Sequence, residues 1–191
     1  MRSLPLLFAS TALVLSGCAT TPSGSPDQVA TDIVMALETS DWDRADDLFA
    51  PVSQSPEYRE RIYPVLYDAA ASHYANGETQ LAAPILRFGR THYPDAVALR
   101  EALLYCLFIE RSQANQANEA QMAEMEDLLV ELDERGHTPA WADLVRTQLA
   151  VDRGRLPDAR ESFDRFLAGW NGQPNSLLVY VEDVDRYLAS H

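Results

Sequence analysis

Cysteine is scarce in this sequence, with only Cys18 and Cys106 among 191 residues, so no disulfide framework can hold the fold once either thiol has another use. Basic clusters are missing as well. Lys and Arg together number 15 against 29 Asp and Glu, a formal net charge of −14. Such a surface repels polyanions, which excludes nucleic-acid binding and leaves no electrostatic hold on anionic lipid. The four histidines, at 73, 92, 137 and 191, fall in no metal-ligand spacing, and neither a phosphate-binding glycine loop nor a nucleophile elbow occurs. Asp41-Trp42-Asp43-Arg44-Ala45-Asp46-Asp47 lacks the glycine and closing Glu of a calcium loop and reads as an acidic helix start. No cofactor or metal is expected, and the chain is read as a non-enzyme. No run approaches the roughly 20 apolar residues that cross a bilayer, which excludes a polytopic membrane protein.

What the N-terminus does have is an export pattern. Met1-Arg2-Ser3 is a short positive start, Leu4 to Leu15 is almost wholly apolar, and Ser16-Gly17 supplies small residues. Leu15-Ser16-Gly17-Cys18 resembles the lipobox of bacterial lipoproteins. The resemblance implies cleavage before Cys18, diacylation of its thiol and a stable membrane anchor, since each buried methylene contributes about 0.8 kcal/mol. Ala19, where Asp would retain an enteric lipoprotein in the inner membrane, implies the periplasmic face of the outer membrane. Residues 1–17 are thus expected to be a signal peptide. Residues 18–25, Cys18 followed by ATTPSGS, have linker composition. Residues 26–191 are of a length typical of one domain.

Helical periodicity recurs through that domain, and no sustained two-residue alternation accompanies it, so the fold class is all-α. Val29, Ile33 and Leu37 mark a first helix from Pro26-Asp27; Ala45, Leu48 and Phe49 mark a second, and Pro51 to Pro56 form a loop. A third helix spans Glu57 to Ala75, with Val65 and His73 on its apolar stripe, and a fourth spans Thr79 to His92. Asp95 is placed to cap a fifth over 96–111. After the polar connector 112–118, Met122, Met125, Leu129 and Leu132 mark a sixth. Thr138-Pro139 reads as the cap and first residue of a seventh reaching Val151. An eighth carries Ala159, Phe163, Phe166, Leu167 and Trp170 inward, and a ninth carries Leu177, Val181, Val184 and Leu188.

Gly77-x4-Ala82-x3-Leu86 and Gly154-x4-Ala159-x3-Phe163 share a pattern, and Ser40-x4-Ala45-x3-Phe49 matches it with Ser in place of Gly. Ala82 through Pro94 resembles the tetratricopeptide repeat, whose helix–turn–helix unit ends in A-x3-F…P. The third unit lacks the pattern. The resemblance implies a solenoid of about four helix pairs with a C-terminal capping helix, in which the first helix of each pair lines a groove. Tyr67, Tyr74, Tyr105, Phe108 and Trp141, with Glu101 and Gln148 as polar members, would then face a protein or peptide partner. The same rings would serve as filling between repeats, and Cys106 among apolar neighbours reads as a buried small hydrophobe. The function implied is a lipid-anchored periplasmic adaptor or scaffold in envelope assembly. An accessory or catalytic component of envelope metabolism and a self-associating structural lipoprotein remain open beside it. Replacing Cys18 by Ser should abolish incorporation of labelled palmitate into the expressed chain; undiminished label on that variant would remove the anchor.

Overall fold

The computed structural model describes residues 24–114, 116–171 and 175–191. The expected signal peptide, Cys18 and the expected linker up to residue 23 lie outside the described residues. Among those described there are nine α-helices and no strand. They are α1 (Pro26–Glu38), α2 (Trp42–Phe49), α3 (Pro56–Ala75), α4 (Thr79–His92), α5 (Val97–Gln113), α6 (Glu119–Glu134), α7 (Ala142–Asp152), α8 (Leu156–Gly169) and α9 (Leu178–Ser190). Ser25 caps α1 by accepting from the Gln28 N–H, and the Tyr58 hydroxyl donates to the Gly24 carbonyl at 3.0 Å. The last two residues read as linker are therefore engaged by the domain.

Neighbouring helices pack in pairs, α1 with α2, α3 with α4, α5 with α6 and α7 with α8, while α1 also meets α3 and α4, and α4 meets α5. Three of the pairs turn in the same way. Ser40, Gly77 and Gly154 have left-handed φ values of 59°, 78° and 68°. Each donates its N–H to the carbonyl three residues back, and the next residue donates to the carbonyl five back (Asp41 to Ala36, Glu78 to His73 and Arg155 to Ala150, each 2.8 Å). This pair of hydrogen bonds satisfies the last carbonyls of the first helix and folds the second sharply onto it. Five residues after each turn an alanine, Ala45, Ala82 or Ala159, is fully buried. Having no bulk beyond Cβ, it lets the two helices approach closely, and Phe49, Leu86 or Phe163 one turn later fills the groove beside it.

The pair α5 and α6 has no such turn, and arginines do the joining instead. Glu131 of α6 accepts from Arg90 of α4 and from Arg100 of α5, the latter at 2.7 Å; Glu124 accepts from Arg87 of α4, also at 2.7 Å. On the other side Asp133 pairs with Arg146 of α7, and Glu126 with Arg153 just after it. Arg111 of α5 forks onto Asp152 of α7, a pair whose side chains are 12% and 4% exposed. Breaking so buried a pair from one side costs about 3–5 kcal/mol. The 15 Lys or Arg positions of the sequence are all arginine, none lysine, which suits forked pairing with carboxylates.

Several local expectations yield to tertiary contacts. Helix α7 begins at Ala142, not Pro139, because the Thr138 hydroxyl turns back to Asp133 and two successive turns bring Trp141 against Tyr105 first. Asp95 does not cap α5; Ala96 holds that position without a side-chain cap, and Arg100 reaches back to its carbonyl at 3.1 Å. Leu167 is 47% exposed instead of inward. His73 is half-buried as a clasp, its ring nitrogens 2.8 Å from Glu38 and 2.9 Å from Glu78. Since a left-handed non-glycine residue costs roughly 1–2 kcal/mol, Ser40→Gly should raise the unfolding free energy by about 1 kcal/mol in denaturant titrations. Gly77→Ala should lower it by a similar amount.

Candidate functional site

Helix α4 packs against both α3 and α5, but α3 and α5 do not pack extensively on each other. The residues they turn toward the gap explain this. On α3, Tyr67, Ala70, Ala71 and Tyr74 recur at i, i+3, i+4 and i+7, and on α5 Ala98, Glu101, Ala102 and Tyr105 repeat that spacing. Each set forms one helical stripe. The alanines leave the space between the stripes unfilled, and the result is a cleft of about 360 Å³ whose lining also includes Leu86, Cys106, Trp141 and Ser176.

Its walls are aromatic. Tyr74 meets Tyr105 edge-on with centroids 5.4 Å apart, and Tyr105 meets Trp141 edge-on at 5.2 Å. Such contacts hold rings in fixed orientations. The Tyr105 hydroxyl shares a 2.5 Å hydrogen bond with Ser176, whereas Tyr67 at the mouth is 38% exposed. Burial, then the neighbouring Tyr105 hydroxyl, raises the Tyr74 phenol well above its ordinary range. Burial also pushes the Cys106 thiol up to about 12, and its Sγ lies 3.6 Å from the Thr79 carbonyl. That thiol stays protonated at neutral pH and fills space.

Glu101 is the charged group of the cleft. It is half-buried, and burial raises its carboxyl pKa, with His137 acting in the opposite direction. No donor among the described residues bonds it, although its oxygens remain accessible.

Tyr67, Tyr74, Glu101, Tyr105 and Trp141, singled out from the sequence, thus line one cleft. Phe108 and Gln148 do not. Phe108 is 1% exposed and packs edge-on against Tyr180 at 5.5 Å, because the start of α9 turns back over α5. Gln148 donates to Asp152 at 3.0 Å and so supports the Arg111 fork. Sequence reasoning missed the alanine floor, whose signal was the matched i, i+3, i+4, i+7 spacing on two neighbouring helices. Ser176 gave no signal, since only the return of the chain after α8 brings it there. Among the described residues no three His, Cys, Asp or Glu side chains are grouped to hold a metal ion, and no helix is long and apolar enough to cross a membrane.

Comparison with known proteins finds no matching family model, no similar curated protein and no similar solved structure.

Because burial penalises the charged form of Glu101, its folded-state pKa lies above the unfolded value of about 4.3. The favourable contribution of the protonated form is complete below that value and is lost as pH rises through the raised pKa. Glu101→Gln should therefore melt at a higher temperature than the parent at pH 7.5. The difference should close as pH falls to about 4. A lower melting temperature for the variant at pH 7.5 would show that Glu101 stabilises the fold.

Proposed function

We propose that this chain is a lipid-anchored adaptor with a tetratricopeptide-like helical-repeat domain, tethered through Cys18 at the periplasmic face of the outer membrane. Its cleft between α3 and α5 holds a protein or peptide partner. Support for the repeat architecture comes from the recurring left-handed turn and the buried alanine after it at Ser40/Ala45, Gly77/Ala82 and Gly154/Ala159. Support for binding comes above all from one observation: aromatic walls flank an unfilled alanine floor. The cleft is open to water, so its apolar lining stays hydrated until another molecule occupies it.

The groups in the cleft suit holding better than reacting. A thiol with its pKa pushed up to about 12 and a phenol raised by burial are poor nucleophiles at neutral pH. Tyr and Trp, by contrast, offer large rigid contact areas with a polar atom at the rim, the properties of binding hot spots. A lipid anchor would concentrate such a module at one membrane face, where even a modest affinity recruits its partner.

The test is affinity capture from membranes expressing the chain, comparing the parent with Tyr67→Ala/Tyr74→Ala/Trp141→Ala. Truncating several hot-spot rings costs upwards of about 2 kcal/mol each, enough to reduce capture of a specific partner by more than tenfold. Helicity by circular dichroism should be unchanged, and equal capture by parent and variant would eliminate the cleft as the binding surface.

A further inference from the structure

Wherever a carboxylate withdraws from solvent in this fold, a donor meets it. Glu124, Glu126 and Glu131 are half-buried and paired with arginines, and so are Asp143 and Asp152. Glu38 and Glu78 share His73, Glu110 accepts from Gln121 at 3.1 Å, and Asp32 accepts from Gln28 at 2.8 Å. Glu101 is the exception: among the described residues it is the half-buried carboxylate without a bonded donor. No arginine or histidine lines its cleft, and the opposing influence on its carboxyl comes from His137, exposed on the α6–α7 connection. A partly desolvated anion left open in a site walled by aromatic rings is one half of a cation site.

We infer that the cleft receives a single basic side chain, Lys or Arg, from an extended segment of a protein partner, its charged head on the Glu101 carboxylate and its stem among the rings of Tyr67, Tyr74, Tyr105 and Trp141. The inference rests on the binding reading above and names what is bound. Four features support it. The faces of aromatic rings carry a negative quadrupole that attracts a cation, more strongly when water is excluded. A volume of about 360 Å³ lies near the lower bound of ligand pockets, about 300–1,000 Å³, so it fits one long side chain and not the face of a helix. The net charge of −14 draws cationic segments toward the domain before contact. Burial of the carboxylate, already seen in its raised pKa, means that an incoming cation regains what desolvation took away.

Isothermal titration of the full-length chain in neutral detergent tests this with three blocked alanine pentapeptides carrying lysine, arginine or norleucine at the centre. The lysine and arginine peptides should bind at least about tenfold more tightly than the norleucine peptide, the scale of one partly desolvated cation–π and charge contact. In Glu101→Gln, which keeps size and shape, that preference should fall below about threefold, with melting temperature equal to or above the parent's. Equal binding of norleucine and lysine peptides would overturn the charge inference while leaving the aromatic cleft as a binding surface. A preference that persists in Glu101→Gln overturns it too, as does the absence of saturable binding by all three. Butylamine binding as tightly as the lysine peptide would overturn the assignment to a protein side chain, because only the free amine would then be recognised.

Discussion

The architecture depends on how closely two helices can be brought together after a left-handed turn. At Ser40, Gly77 and Gly154 the chain reverses within a few residues, and the buried alanine that follows permits contact at nearly backbone distance. A larger residue there would force the axes apart and strand the apolar stripes of both helices, since neither helix buries its face without the other. Where the turn is missing, at α5–α6, the polar connector leaves the helices less constrained. There α6 is held from both sides by guanidinium–carboxylate forks from α4, α5 and α7. Short-range packing organises most of the domain, and long arginine side chains add cross-links where the tight turn is missing.

The cleft follows from the same geometry. Helix α4 is shared by α3 and α5, so these two are positioned by a common support and not by each other, and alanines at Ala70, Ala71, Ala98 and Ala102 leave the space between them vacant. The surrounding rings are fixed by mutual edge contacts and by Ser176. A site on rigid helices with its walls preorganised loses little conformational entropy when occupied. Glu101 marks the opposite choice in energetic terms, a charge kept where it is partly dehydrated, and such local costs accumulate at binding sites.

Much of this was readable in advance, because helical period and turn chemistry are local properties. The helices fall where the apolar stripes put them, and the recurrence of Ser40, Gly77 and Gly154 ahead of an alanine corresponds to one repeated turn. Pro64 and Pro84 lie inside α3 and α4 without ending them, since tertiary packing outweighs one missing hydrogen bond. What local rules could not supply were features decided by distant contacts. Thr138 serves Asp133 instead of a helix start, and Arg100 holds the turn where Asp95 was the natural candidate. Phe108 is aromatic and shares helix α5 with Tyr105 of the cleft, but it is covered by Tyr180, which lies far along the chain. Gln148 is drawn to Asp152, a carboxylate already engaged by Arg111.

The exclusive use of arginine has a consequence beyond pairing geometry. A domain whose cations are all guanidinium groups carries no side-chain primary amine, so reagents that acylate amines or condense them with carboxylates find none on its helices. Its acidic surface can be coupled through such chemistry only to amines brought by another molecule, or to a chain terminus. The domain is in this sense chemically one-sided, and any amide bridge formed on an internal carboxylate would carry the visitor's signature.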